Sequence, residues 1–118
     1  MRVDDLLSQE DVDHLRPSLS VSSNGRLDLA WFDYRHSKSK KYAQNRQRGD
    51  AYYSYSMDGG ETWAPNLRLS AATAPLLFGA GNDILTVVSS GDKAHAVYAQ
   101  DQNGNVLYET YLTTIIFH

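Results

Sequence analysis

An acid and a base two positions apart, Asp33 and Arg35, lie at the end of an apolar stretch. An arginine fork beside a carboxylate forms either a salt bridge at a strand end or a clamp for a polar ligand. We interpret the pair as a salt bridge and keep both residues as candidate ligand contacts.

Other chemistries receive little support from the residue types. The chain has no cysteine, which excludes disulfides, thiolate catalysis and Cys-type zinc or iron–sulfur sites. Its histidines lack the spacing with acids that is typical of a metal site. They are His14, His36, His95 and His118. We therefore expect no metal and no cofactor, and we expect His95, inside a predicted strand, to be a hydrogen-bonded structural residue.

Composition is that of one soluble domain. The chain has 118 residues, 42% hydrophobic and 21% charged, with 11 basic and 14 acidic side chains. This balance argues against a general nucleic-acid partner, whose binding surface would be basic. No apolar run approaches the ~20 residues that span a bilayer, and the acidic start differs from a signal peptide. We expect neither a membrane partner nor a signal peptide.

Charges of opposite sign are segregated along the chain. Five acids lie in the first 13 residues, and six bases lie between positions 35 and 48. The acids are Asp4, Asp5, Glu10, Asp11 and Asp13, and the bases are Arg35, Lys38, Lys40, Lys41, Arg46 and Arg48. The basic segment has no apolar periodicity and is typical of a solvated loop. The two segments are expected to attract one another, within one chain or between chains.

The elements that position these residues are predicted to be short strands. Residues 26–32 alternate with a period of two, and Asn24-Gly25 before them is a tight-turn signal. Alternation and turn residues place further strands at 17–21, 50–56 and 66–70. These four segments predict an antiparallel meander.

The strand pattern then recurs. Residues 86–89, 93–99 and 105–112 reproduce the first three strands, with Trp31 aligned on Tyr98 and Tyr53 on Tyr108. A repeat of four-stranded antiparallel units is typical of propeller blades. The sequence therefore predicts an all-β fold with about two blades, over residues 14–70 and 82–118.

Residues 56–63 read Ser-Met-Asp-Gly-Gly-Glu-Thr-Trp, which fits the pattern Ser-x-Asp-x-Gly-x-Thr-Trp. This pattern resembles the Asp-box, or bacterial neuraminidase repeat, of sialidase-like β-propellers. The resemblance covers roughly residues 14–112 and implies a propeller, usually of six blades in sialidases, and an extracytoplasmic location. No second Asp-box follows the second unit, where the chain reads YLTTIIFH.

The Asp-box residues are expected to be structural. They are Ser56, Asp58, Gly60, Thr62 and Trp63. A carboxylate in this turn can accept hydrogen bonds from the turn's own N–H groups, while glycines supply backbone conformations that side chains forbid. The resemblance implies the same, because in the family this box lies at the blade periphery, away from the active site.

The resemblance also suggests catalytic candidates. Leu15-Arg16-Pro17 stands where the family has Phe-Arg-Ile-Pro, whose arginine binds the substrate carboxylate, so Arg16 is a candidate for that role. Asp50 is the nearest candidate for the acid/base residue, and Asp33 is a poorer one. Two further arginines and a Tyr–Glu nucleophile pair would have to come from later blades, and hydrolysis needs such a second group.

These observations favour a non-catalytic propeller segment, structural or carbohydrate-binding. The alternative is a sialidase-like exo-glycoside hydrolase that acts on sialylated glycans, as a fragment or as an oligomer. Any bound acidic sugar is expected to use Arg16, Arg35 and the basic segment, through charge-assisted hydrogen bonds to its carboxylate. The candidate ligand-binding residues are therefore Arg16, Asp33 and Arg35.

Two blades cannot close a ring, since propellers have ~4 to ~8. The chain is therefore expected to be a piece of a longer protein or to complete its ring by self-association, most simply as a trimer with six blades. Residues 1–8 precede the first strand at the distance of a previous blade's outer strand. We expect this segment to serve as an outer strand that crosses between chains.

Overall fold

A computed structural model describes residues 2–5, 12, 14–37, 48–75, 85–102 and 109–118. In these residues the fold is all-β, as predicted, with eight strands and no helix. The strands are β1 (His14–Val21), β2 (Leu27–Asp33), β3 (Arg48–Ser56), β4 (Leu67–Arg68), β5 (Ala74–Pro75), β6 (Leu85–Ser90), β7 (Lys93–Gln100) and β8 (Glu109–Ile116). This part of the chain accordingly holds no helix long and apolar enough to cross a membrane.

The first sheet has the predicted meander order β1-β2-β3-β4, all antiparallel, and β5 pairs with β3 beside β4. The predicted turn joins β1 to β2, where the Gly25 N–H donates to the Ser22 carbonyl at 3.0 Å. Gly25 has a φ of 87°, which side chains disfavour. The fourth strand, Leu67–Arg68, is shorter than the predicted 66–70. At its start the N–H of Asn66 donates to a carboxylate oxygen of Asp5, while after its end the N–H of Leu69 still donates to the Ala51 carbonyl at 2.8 Å.

The second sheet has the order β6-β7-β8 and is also antiparallel. Its first two strands lie where they were predicted, and β8 is described from Glu109 to Ile116; residues 105–108, where the predicted strand begins, lie outside the described part. Ala30 pairs with Tyr53 in the first sheet, and its counterpart Val97 pairs with Leu112 in the second. The alignment of Tyr53 on Tyr108 is therefore wrong, and residues 113–116 belong to this strand. A shift of four residues leaves the same side chains facing the core, so alternation alone could not reveal it.

The two sheets pack face to face, with β1 beside β6. The N–H groups of Val87 and Ser89 donate to the hydroxyls of Ser18 and Ser20, at 3.1 and 3.0 Å. Two buried clusters join the facing sides. They consist of Ala30, Tyr53, Val87 and Ala94, and of Phe32, Tyr34, Ala51 and Tyr98. The core of the described residues thus lies between the sheets.

Candidate functional site

Asp33, the last residue of β2, is buried and paired with Arg35. The guanidinium donates through Nε to Oδ1 at 3.0 Å and through Nη2 to Oδ2 at 2.8 Å. The backbone N–H of Arg35 adds a third hydrogen bond to Oδ1, at 2.8 Å. This bidentate contact confirms the predicted salt bridge.

Two further groups face the Asp33 carboxylate. The indole N–H of Trp31 donates to Oδ2 at 2.9 Å, and Nε2 of His14 lies 3.1 Å from the same oxygen, without the alignment of a hydrogen bond. Burial alone would raise the pKa of Asp33, but the proximity of His14 and the donors of Arg35 and Trp31 hold it well below its usual range. Asp33 therefore stays ionised and is unsuited to donating a proton.

Arg35 also holds the acidic N-terminal segment. Its Nη1 donates to Asp5 at 2.9 Å, its Nη2 donates to the side-chain oxygen of Asn66 at 3.0 Å, and its Cζ lies 4.1 Å from the centre of the Tyr52 ring. Asp5 and Asn66 exchange two further hydrogen bonds, each of 2.9 Å. One pair between the acidic and basic segments is thus formed within the chain, while residues 38–47 lie outside the described part.

A cavity of about 200 Å³ adjoins this cluster. It is lined by Val3, Asp4, His14, Pro17, Leu29 and Trp31. Arg16 is not among its lining residues. Arg16 is exposed at an irregularity of the β1 register and has a φ of 59°, a left-handed conformation uncommon for a long side chain. The structure therefore does not join Arg16 to the cavity as a carboxylate-binding group.

Asp50 is buried at the start of β3, directly opposite Asp33 in the strand register. Its Oδ1 accepts from Nε of Arg68 at 2.9 Å and from Ser70 at 2.7 Å, and its Oδ2 accepts from Thr73 at 2.7 Å. The two facing carboxylates are thus compensated by separate arginines. The donors of Asp50 all come from the segment that carries β4 and leads to β5.

A buried ion pair that the sequence analysis did not single out joins the two sheets. Arg26 donates to Asp28 through Nε at 2.9 Å, and both side chains are buried. Its remaining donors reach the second sheet, at the carbonyls of Gly91 and Lys93, each at 2.9 Å. The only signal in the sequence for this ion pair was Asp28, an acid within the predicted strand 26–32. It lies on the same face of the strand as the apolar Ala30.

Asp28 accepts two hydroxyl hydrogen bonds in addition to those of Arg26. Tyr53 donates at 2.6 Å and Ser89 of the second sheet at 2.5 Å. Burial, with the hydrogen bond to Asp28, raises the pKa of Tyr53 far above its usual value. The pair is therefore surrounded by structural donors and acceptors from both sheets.

The 56–63 turn has the hydrogen bonds expected from its sequence. Asp58 accepts from the Thr62 N–H at 2.9 Å, from the Thr62 hydroxyl, and from the Ser56 hydroxyl at 2.8 Å. The indole N–H of Trp63 donates to the Gly60 carbonyl at 3.1 Å, and Gly60 has a φ of 94°. All of these groups serve the turn itself.

Asp58 makes the turn sensitive to acid. The hydroxyl and N–H of Thr62, with the hydroxyl of Ser56, lower the pKa of Asp58 to about 2. Because the unfolded carboxyl titrates near 3.9, its stabilising effect is complete above that pH and is lost as the pH falls through about 2. We expect Asp58→Asn to be less stable than the wild type at pH 6, and the difference to shrink towards pH 2. Denaturant unfolding at several pH values measures it.

Glu61→Gln is the matched control, since Glu61 is an exposed acid in the same turn. It should leave the pH dependence of unfolding as it is in the wild type. A stability difference for Asp58→Asn that stayed constant between pH 6 and 2 would contradict the prediction.

Two histidines contact neighbours on the sheets. Nδ1 of His95 lies 3.1 Å from the hydroxyl of Thr114, which confirms the expected hydrogen-bonded role. Nε2 of His36 lies 2.7 Å from the hydroxyl of Tyr52, and the two rings stack. Within the described ranges, no group of three or more His, Asp or Glu side chains is arranged to hold a metal ion.

Fold and clusters together define an all-β protein of two packed antiparallel sheets, in which Asp28, Asp33 and Asp50 are buried and paired with arginines. No known protein family, curated protein or solved structure matches the chain.

Proposed function

We propose that this chain is a non-catalytic segment of a sialidase-like Asp-box β-propeller, with a structural or carbohydrate-binding role, and that it completes its ring by self-association. Two features support the propeller assignment. Antiparallel sheets pack face to face with their first strands side by side, and the 56–63 turn follows the third strand of the first sheet.

The observation that carries the non-catalytic role is the occupancy of the candidate carboxylates. Glycoside hydrolysis requires an acid that can give up a proton and a second positioned group. Asp33 is held ionised by Arg35, and Asp50 accepts three hydrogen bonds from its own sheet. Both oxygens of each carboxylate already accept hydrogen bonds from groups of the chain itself.

A carbohydrate-binding role is supported by the cavity beside Trp31. Sugar and small-ligand sites combine an aromatic or apolar wall with a few polar groups. Here Trp31 and Leu29 supply the wall, and Asp4 and His14 supply the polar groups. Arg35 pairs with Asp33 and Asp5, and in this role it would position the N-terminal segment beside the cavity.

We expect the chain not to cleave a fluorogenic sialoside at any pH from 4 to 7. Fluorescence release by the wild type, measured beside Arg16→Ala and Asp50→Asn, tests this. Turnover that disappears in both variants, with the β-sheet circular dichroism retained, would overturn the proposal in favour of the hydrolase. Turnover that persists in both variants would also overturn the non-catalytic role, and it would exclude Arg16 and Asp50 as the groups responsible.

A further inference from the structure

The outer face of each sheet, directed away from the other sheet, carries several exposed apolar side chains; on the second sheet they alternate with polar side chains, among them Thr86, His95 and Thr114. Because Ser18 and Ser20 point to the second sheet, their alternate neighbours in β1 point outward. The outer face of the first sheet carries Leu19, Val21, Leu27 and Leu29, and that of the second sheet carries Val88, Val97, Leu112 and Ile116. Five of these side chains are more than half exposed: Leu19, Val21, Val88, Leu112 and Ile116. Apolar patches of this kind mark interaction surfaces.

Strand pairing relates the two sheets residue by residue. Aligning Arg26 with Lys93 places Leu27 on Ala94, and the partners of these two residues in β1 and β6 are Val21 and Ser89. Val21 therefore corresponds to Ser89. The same alignment places Asp28 on His95, whose partners are Ser20 and Val88, so Ser20 corresponds to Val88.

Under this alignment, the outer face of each sheet corresponds to the face of the other sheet that is buried between the two sheets. Ser89, which faces the first sheet, corresponds to Val21 on the outer face of the first sheet. Val88, on the outer face of the second sheet, corresponds to Ser20, which faces the second sheet. The contact between the sheets can therefore be repeated outward in both directions.

We propose that a second copy of this chain docks head to tail, with the outer face of its first sheet on the outer face of the second sheet. The inference rests on the proposed propeller function. It adds which two faces of the chain meet and which residues lie opposite each other. Since Ser20 lies against Ser89 within the chain, Val88 of one copy lies opposite Val21 of the next copy. Repeated head-to-tail contacts close into a ring, and three copies supply six sheets.

The N-terminal segment supports this occupant. Val3 lines the cavity with Trp31, on the outer face of the first sheet. Trp31 corresponds to Tyr98, whose hydroxyl donates to the Leu69 carbonyl, next to β4, at 3.2 Å. Residues 2–5 thus lie where the outer segment of a preceding sheet would lie.

In the ring this segment would meet the neighbour's β8. Among the described residues β8 is the edge of a three-stranded sheet, whereas the first sheet has a fourth strand. Residues 2–5 are not part of a strand, and residues 6–8 lie outside the described part. The predicted crossing of residues 1–8 between chains therefore stays a prediction.

Charge substitutions on the two faces test the docking. Light scattering should give the wild type a multiple of the 13.2 kDa chain mass, and Val21→Glu and Val88→Lys should each give 13.2 kDa. An equimolar mixture should reassociate, because each variant keeps one face intact and the altered faces carry opposite charges. Met57→Lys is the control, since Met57 is equally exposed but lies on the 56–63 turn.

The outcomes separate this inference from the proposed function. A monomeric wild type with β-sheet circular dichroism would overturn the docking together with the proposed self-association, whereas sialoside turnover would overturn only the non-catalytic role. Variants that both remain associated would show that the faces are wrong, and a mixture that stays monomeric would exclude head-to-tail pairing. Deletion of residues 1–8 should also lower the number of chains that associate. An unchanged number of associated chains would exclude the strand crossing.

Discussion

Arg26→Met is expected to lower the free energy of unfolding by about 3–5 kcal/mol, the range seen when one partner of a buried ion pair is removed. Asp28 would keep its buried charge with only the hydroxyls of Tyr53 and Ser89 to stabilise it. The carbonyls of Gly91 and Lys93 would also lose their donors. Both effects weaken the junction between the two sheets.

Denaturant unfolding followed by circular dichroism measures this loss. Arg48→Met is the matched control, because Arg48 is exposed and donates to a single carbonyl, that of Thr73. The double variant Arg26→Met, Asp28→Asn should cost less than the sum of the single changes, since it leaves no lone buried charge. An Arg26→Met protein within about 1 kcal/mol of the wild type would contradict the structural role of the pair.

The second large effect is expected for Asp33→Ala, again about 3–5 kcal/mol, because a charge that compensates a largely buried guanidinium is removed. Trp31 and the backbone N–H of Arg35 would lose their acceptor in the same change. Burial of these donors without a partner adds to the cost.

Asp5→Ala provides a matched comparison, since both acids bind the guanidinium of Arg35. The side chain of Asp5 is 47% exposed and that of Asp33 is 0% exposed. Exposed ion pairs contribute about 0–1 kcal/mol, so Asp5→Ala should change the unfolding midpoint only slightly. Equal losses in the two variants would show that burial is not what makes the Asp33 pair important.

Local signals in the sequence were sufficient for much of the fold. A period of two and the Asn24-Gly25 turn predicted the first three strands, because both features act over a few neighbouring residues. The Asp33–Arg35 salt bridge and the hydrogen bonds of Asp58 were also predictable. Each joins groups at most four positions apart, which the backbone places together whatever the rest of the chain does.

Tertiary structure decided the contacts between distant segments. Alternation reports which face a side chain occupies and not its partner, so the position of β8 depended on pairing with β7. The docking of Asp5 on Asn66 and the reach of Arg26 to Gly91 each join segments more than 60 residues apart. Likewise, the availability of Asp50 for catalysis was decided by Arg68, Ser70 and Thr73, because burial and hydrogen-bond partners exist only once the chain has folded.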